Sequence, residues 1–351
     1  MLGGGSLQPA CDDGDSGVRA VVLRDGGALG VEEMPRPRAA AGEIVLSLRG
    51  CGLCGSDIIK VGSPVPRPLV LGHELVGDVV EVDAAVERFR VGDRVVAAHH
   101  VPCGRCHYCR RGSASMCREF KGSNLDPGGF AEYVRVPAAN VQHATFRIPG
   151  HVDDESASFV EPLACCLRAV RRAPIQSGDT VVVVGLGSIG CLFVQLARRA
   201  GAHVAGVDPL PERADLAKRL GADMAGTSEA VTRAVHEYAE GRGADQIIIT
   251  GGGAEVLPWA IANVRDGGIV HYFAGGGGTL PLALADLYHR ELTLTSTYSS
   301  SPVDLGEAFR LIAAAAIITS PLLTERVTLD GLANALGRMR RRETLKVYVT
   351  P

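Results

Sequence analysis

Residues 181–190 read VVVVGLGSIG: four β-branched residues run straight into Gly185-Leu-Gly187-Ser-Ile-Gly190, and an amphipathic stretch over 191–199 follows. A continuous run of valine suits a strand buried on both faces of a parallel sheet. The glycines serve three needs: a tight turn, close approach of backbone to a pyrophosphate, and close packing of helix on strand. The free N–H groups at the start of that helix attract phosphate charge. Gly185, Gly187, Ser188, Ile189 and Gly190 are therefore read as a dinucleotide-phosphate loop. Asp208 closes the next apolar run, 23 residues after Gly185, where a carboxylate can accept both hydroxyls of a ribose. The same carboxylate repels a 2′-phosphate, so NAD is the expected nucleotide and NADP the disfavoured one. Arg213 is the competing signal, a cation able to pair with a phosphate or to lie beside an adenine.

Outward from this loop, Thr180–Val184, His203–Val207, 246–250, 268–273 and 292–297 read as strands, with helices starting near Ser188, Glu212 and Ala254. Strands alternating with helix-length amphipathic segments predict βαβ units and hence an α/β, doubly wound parallel sheet. Asp304 followed by Glu307 reads as a capping box opening a helix through about Ala316. From 18 to about 148 the apolar runs are short (20–23, 44–48, 76–82 and Arg94–Ala98) and broken by Gly, Pro and Asp, which predicts an irregular, mostly antiparallel β domain. The closing stretch 322–349 returns to strand, helix and strand and is expected to rejoin that domain. The expected organisation is a frayed tail over 1–17, a β-rich domain over 18–163 completed by 300–351, and a nucleotide-binding domain over 164–299. The chain has no internal repeat, and its one low-complexity block is 275–278.

A length of 351 residues with 46% hydrophobic and 21% charged residues fits two globular domains. The 36 Lys and Arg against 39 Asp and Glu leave a net charge of −3, which excludes the basic footprint of a nucleic-acid or anionic-membrane partner and points to a small molecule. No apolar run approaches the length of about 18 residues that a membrane span needs, and 1–17 has neither a basic start nor an apolar centre, so a cytoplasmic protein is expected. Ten cysteines in such a chain favour metal over disulfides. Four of them, Cys103, Cys106, Cys109 and Cys117, form C-x2-C-x2-C-x7-C, with Gly104 and Gly112 for tight turns. Four thiolates closing a tetrahedron are what structural Zn2+ requires. No proline follows the last cysteine, as it does in one iron–sulfur pattern of similar spacing, so zinc is expected. Four sulfurs leave no open position, and this lobe (about 99–120) should hold shape and do no chemistry. His107 is read as a bystander.

A catalytic zinc instead needs three protein ligands and an open position, and three segments can supply them: GLCGSD at 52–57, GHE at 72–74 and EPL at 161–163. Taken in order, GLCGSD, GHE, the four-cysteine lobe, EPL and GLGSIG resemble the zinc-dependent medium-chain alcohol dehydrogenases, from about Val18 to the end of the chain. The resemblance implies a GroES-like β-rich catalytic domain plus a Rossmann doubly wound parallel-sheet domain. It implies that Cys54, His73 and Glu161 bind the catalytic Zn2+, with Glu74 as an alternative or water-bridged ligand. Asp57 would fix the tautomer of His73. Ser56 matches the hydroxyl that takes the substrate proton, but the histidine that many relatives carry five residues after the cysteine is here Ile59, so the onward relay must differ. Cys165 would lie near the nicotinamide, and Cys166 packs.

The resemblance further implies two zinc ions per chain, NAD as cofactor and a homo-oligomer, a tetramer ahead of a dimer. Glu161 in place of a cysteine resembles the sorbitol, polyol and threonine dehydrogenase branch, which shifts the expected substrate to secondary, polyhydroxylated alcohols. Tyr298 and the serines at 299–301 are expected along the substrate or subunit-facing wall, where the arginine of some sorbitol dehydrogenases is absent. Two alternatives stand: a threonine-type amino-alcohol dehydrogenase, for whose substrate ammonium and carboxylate no partner is evident, and a nucleotide-binding relative without catalysis.

Overall fold

A computed structural model of the chain describes residues 17–64, 68–275, 278–279 and 282–351. The expected tail lies outside these residues but for Gly17, and so does part of the 275–278 block. The valine run forms the strand Thr180–Val184 at the centre of a six-stranded sheet, in the order Met224–Gly226, His203–Val207, Thr180–Val184, Ala244–Ile249, Val264–Tyr272, Thr293–Ser296. All its pairings are parallel. The chain grows first to one side of Thr180–Val184 and then to the other, so a crevice opens at the carboxyl ends of the strands where the order reverses.

Three sequence expectations shift. The short Met224–Gly226 strand and the Ser228–Tyr238 helix that follows it were not predicted. The strand has three small or flexible residues and no apolar run, and the helix start rests on one cap, Thr227, whose hydroxyl accepts from Ala230 N–H at 3.5 Å. The strand expected at 268–273 begins at Val264, with a register irregularity between Ala244 and Gln246 of its partner, because Asp266-Gly-Gly interrupts the apolar pattern without ending the pairing. The capping box sits one turn earlier than expected. Ser301 Oγ accepts from Asp304 N–H, and the Asp304 carboxylate accepts from Ser301 N–H at 3.0 Å, so the helix is Pro302–Ala313 with proline in its first turn. Glu307, expected as the second member, instead pairs with Arg171 at 2.6 Å.

The β-rich part holds a three-stranded sheet (Leu29–Met34, Val18–Leu23, Leu69–Val70) and a seven-stranded one. The latter runs Glu325–Thr328, Val347–Thr350, Ile44–Leu53, Glu74–Val82, Arg94–Ala98, Thr145–Arg147, with Tyr133–Val136 beside Ile44–Leu53. The closing stretch does return to this part, because Val347 pairs with Leu53 and Val349 with Cys51. The Val160–Arg172 helix joins the two halves. Val76 and Val96 of the antiparallel sheet share one buried cluster with Leu163 and Ala164 of this helix and with Val181 and Val183 of the parallel sheet. Each of these valines and Leu163 contributes about 1.5–3 kcal/mol of burial, and the shared core fixes Glu161, in the first turn of that helix, relative to both sheets.

Candidate metal centre and nucleotide cleft

The Ile44–Leu53 strand ends against Glu74–Val82 with Gly52 opposite Glu74. This register brings Cys54, just past one strand, toward His73, just before the other. Cys54 is the N-cap of the Gly55–Val61 helix: its sulfur accepts from Ser56 N–H at 3.5 Å, while the Asp57 carboxylate accepts from Cys54 N–H at 3.1 Å. Oxygen caps are preferred at this position, so a thiol here is a choice made for something other than the helix. Asp57 is fully buried, and its Oδ1 lies 3.5 Å from His73 Nδ1. The other ring nitrogen, Nε2, faces Ser56 Oγ at 3.4 Å. Burial works against a charged His73, but the Asp57 carboxylate and Cys54 outweigh it and hold the imidazole well above its ordinary range. Burial likewise opposes the Asp57 carboxylate, and His73 outweighs it and lowers it. The pocket is thus built around positive charge, which a divalent cation at Nε2 would supply in place of the ring proton.

The ligand atoms of Cys54, His73 and Glu74 lie within 4.8 Å of one another, and so do those of His73, His99 and Glu161. The residues expected around one metal therefore fall into two overlapping groups that share His73. Thiol, imidazole and carboxylate are the donor types zinc takes, and the residues present fit that ion. Burial raises the Glu161 carboxyl despite the pull of His73, and Glu161 Oε1 accepts from the Cys165 thiol at 3.4 Å. Glu74 is fully buried and paired with Lys346, whose Nζ donates to Oε1 at 2.6 Å. Any side chain at Gly52 would collide with this pair, since a Cβ there would sit 1.9 Å from Glu74 Oε2. Ile59, in the place of the missing relay histidine, is 47% exposed.

Sequence reasoning missed Lys346 and His99. The signal for the first was a lone lysine inside the apolar run TLKVYV; the second stood as one of a pair of histidines just before the first of the four cysteines.

In that lobe the four sulfurs also lie within 4.8 Å of one another. Cys106 and Cys109 Sγ are 3.5 Å apart and Cys103 and Cys109 Sγ 4.0 Å, far beyond the bond of about 2.05 Å in a disulfide. A tetrahedron with zinc–sulfur bonds of about 2.3 Å sets its sulfurs about 3.8 Å apart. Gly104 and Gly112 both adopt φ +72°. Backbone N–H groups of Arg105 and Cys106 bring the Cys103 thiol down to about 7, while burial and the Cys106 thiol push Cys109 up to about 12. His107 is exposed and is not part of the group. Cys106→Ser is expected to remove one zinc per chain and lower the melting temperature while NAD binding persists; elemental analysis and thermal unfolding check it, and an unchanged zinc count contradicts the lobe assignment.

The glycine-rich loop borders a cleft of about 570 Å3 lined by Gly185, Gly187, Ser188, Ile189, Gly190 and Asp208 among others. Gly185 adopts φ +88°, and a Cβ on Gly190 would lie 1.9 Å from Gly185 O, so the turn accepts no side chain there. Asp208 is buried and fixed: Oδ2 accepts from Leu186 N–H at 2.8 Å and Oδ1 from Leu210 N–H at 3.0 Å. Arg213 Nη1 stands 3.8 Å from Asp208 Oδ2, and Nη2 donates to Arg342 C=O at 3.1 Å. Gly55 and Ile58 line the same cleft, so one short helix borders the nucleotide cleft and carries Ser56 and Asp57 of the metal group. Cys165, expected beside the nicotinamide, is not among the residues lining the cleft; its one described side-chain contact is with Glu161. Tyr298 is half-exposed with Lys121 Nζ 5.2 Å above its ring, and Ser300 C=O accepts from the buried Arg168 at 3.3 Å.

Comparison with known proteins bears on this geometry. Residues 40–146 match the family described as alcohol dehydrogenase GroES-like domain, and 188–314 the family described as zinc-binding dehydrogenase. A sorbitol dehydrogenase of Halalkalibacterium halodurans is 32% identical over 93% of this chain and 96% of its own. An L-threonine 3-dehydrogenase of Aeromonas hydrophila is 27% identical over 91% of this chain and 94% of its own. Among solved structures, a zinc-binding dehydrogenase from Sinorhizobium meliloti bound to NADP superposes with a TM-score of 0.86 at 31% identity, covering 96% of this chain and 100% of that one. The fold, the two family matches and these relatives together make the chain a dehydrogenase acting on alcohol groups, and it belongs to the zinc-dependent medium-chain alcohol dehydrogenases, in the branch of the polyol and threonine enzymes.

Proposed function

We propose that the chain oxidises secondary, polyhydroxylated alcohols with NAD, holding one zinc among Cys54, His73 and Glu161 and a second in the four-cysteine lobe. The observation that carries this reading is the Gly55–Val61 helix: it presents Gly55 and Ile58 to the nucleotide cleft and Ser56 and Asp57 to His73. When bound, zinc supplies a Lewis acid for the alcohol oxygen and NAD a hydride acceptor. Around them, Asp57 holds the His73 ring by its far nitrogen, so that Nε2 faces the metal position. Cys54 and Glu161 offset a divalent charge. Ser56 Oγ, 3.4 Å from His73 Nε2, is placed to take the alcohol proton, and with Ile59 exposed the proton leaves by a route without a side chain at 59. Lys346 keeps Glu74 engaged, which makes Glu74 a reserve ligand. The Cys165 thiol donates to Glu161 and so helps to hold that carboxylate.

The preference for NAD rests on the buried Asp208 carboxylate, which lines the cleft at the end of the strand after the glycine-rich loop. Asp208→Ala combined with Pro209→Arg is expected to shift the NADP-to-NAD ratio of kcat/KM upward by about 10- to 100-fold, the scale of one charged hydrogen bond lost and one gained. An unchanged ratio would remove Asp208 from this role.

Glu161 at the third-ligand position favours polyols and cyclitols over simple alcohols, in line with the sorbitol dehydrogenase relative. Initial rates of NAD reduction across polyols, cyclitols, amino alcohols and simple secondary alcohols test it: fastest turnover on a polyhydroxylated substrate is expected, and fastest turnover on L-threonine would move the chain to the amino-alcohol reading. The nine described cysteines are all free, which suits a reducing cytoplasm. The Thr293–Ser296 edge strand, with Leu294 partly exposed and Leu284 and Tyr288 nearly bare, supports self-association, and a homotetramer is the proposed assembly.

A further inference from the structure

We propose that His99 is a protein ligand of the same metal as His73 and Glu161. The proposal rests on the reading of the metal centre above. His99 follows the Arg94–Ala98 strand, where successive side chains in extended backbone would point to opposite faces. Instead the next residue, His100, adopts φ +59°, an uncommon conformation for a residue with a Cβ that persists only where the surroundings enforce it. The turn it makes sets the two imidazoles against each other, tilted by 47° with ring centroids 3.8 Å apart, and the His99 ring lies 4.5 Å from that of His73.

His99 Nδ1 stands 3.9 Å from Glu161 Oε1, and the His99 side chain is nine-tenths buried at 10% exposure. That separation is too long for a hydrogen bond, and Nδ1 has no hydrogen-bond partner. An unpaired buried polar group gives up its hydrogen bonds to water without replacing them and calls for an explanation. Two donors on one tetrahedral zinc at about 2.0–2.2 Å stand about 3.3–3.6 Å apart, and Nδ1 and Oε1, at 3.9 Å, are within a few tenths of an ångström of that spacing. The carboxylate that would otherwise complete the set, Glu74, is held by Lys346. His99 has no such competitor, and its imidazole converges on the group that His73 shares with Glu161.

His99→Phe keeps an aromatic ring in place and removes both donor nitrogens; His100→Phe makes the same change one residue away, and His73→Ala tests the site itself. Zinc affinity of the non-lobe site is measured for each by competition with a chelator. A loss of more than about 100-fold in His99→Phe, beyond what an outer-shell partner costs, with His100→Phe unchanged, is expected. A loss below that scale in His99→Phe, while His73→Ala abolishes the site, overturns the assignment of His99 alone. An unaltered affinity in His73→Ala overturns the reading of the centre and this proposal with it. A readout independent of any variant comes from spin-active cadmium in the non-lobe site of the unaltered enzyme grown with isotope-labelled histidine. Splitting of the metal signal by two imidazoles is expected, and splitting by one overturns the proposal.

Discussion

Cys54→Ala is expected to lower alcohol-dependent reduction of NAD by about 10^3-fold or more and to reduce the zinc count from two per chain to one, while NAD still binds. Lewis-acid stabilisation by a metal is worth several kcal/mol, and each 1.36 kcal/mol is about tenfold in rate, which sets the scale. NAD binding survives because the loop from Gly185 to Gly190 and Asp208 belong to the parallel sheet, whereas Cys54 follows a strand of the antiparallel one. The thiol also caps the Gly55–Val61 helix, so Cys54→Ser is the control: it restores a capping oxygen, worth about 1 kcal/mol, without a thiolate. Both variants should lose turnover, and fluorescence titration of the reduced nucleotide should show binding in both. Undiminished turnover in either one would remove Cys54 from the metal.

Lys346→Met is expected to cost about 3–5 kcal/mol of stability, because it leaves the Glu74 carboxylate buried without a partner. For a chain of this size that is a fall in melting temperature of roughly 10 °C. Lys346 is 2% exposed and Glu74 fully buried, so water screens little of the loss. Glu74→Gln added to Lys346→Met should recover most of it, since the amide carries no charge to desolvate. Burial opposes the charged Lys346, but Glu74 outweighs it and holds the ammonium above its ordinary value of 10.5. A group raised in the folded state gives its full stabilisation below its unfolded value and loses it as pH rises through the folded one. The gap between the unaltered chain and Lys346→Met should therefore stay constant through neutral pH and narrow only above about 10.5. Urea unfolding at several pH values measures this; an equal unfolding free energy in the variant would show that something else neutralises Glu74.

The parallel sheet was legible because its signals are local. A strand, a glycine turn and a helix start are all written within residues 180–199, and a carboxylate closing the next strand needs no knowledge of contacts. The four-cysteine lobe was legible for the same reason. The metal group was legible as a set of residue types in order, but not as a geometry: Cys54 meets His73 only through the register that sets Gly52 opposite Glu74. That register also decides what joins them. Lys346 reaches Glu74 from the residue just before the last strand, 272 residues away, and a single lysine in an apolar run gives no hint of which carboxylate it will meet. His99 enters the group through a left-handed turn at a histidine, a conformation the sequence does not announce. At Ser301 two capping-box patterns overlap in the sequence, Ser301 with Asp304 and Asp304 with Glu307, and Pro302 at the first helical position decides for the first.

The most direct test of the account is anomalous X-ray scattering at the zinc edge from crystals of the unaltered protein. The account predicts two peaks per chain, one inside the sulfurs of Cys103, Cys106, Cys109 and Cys117 and one against Nε2 of His73, beside the helix that borders the nucleotide cleft. A single peak in the lobe, with none at His73, would contradict it.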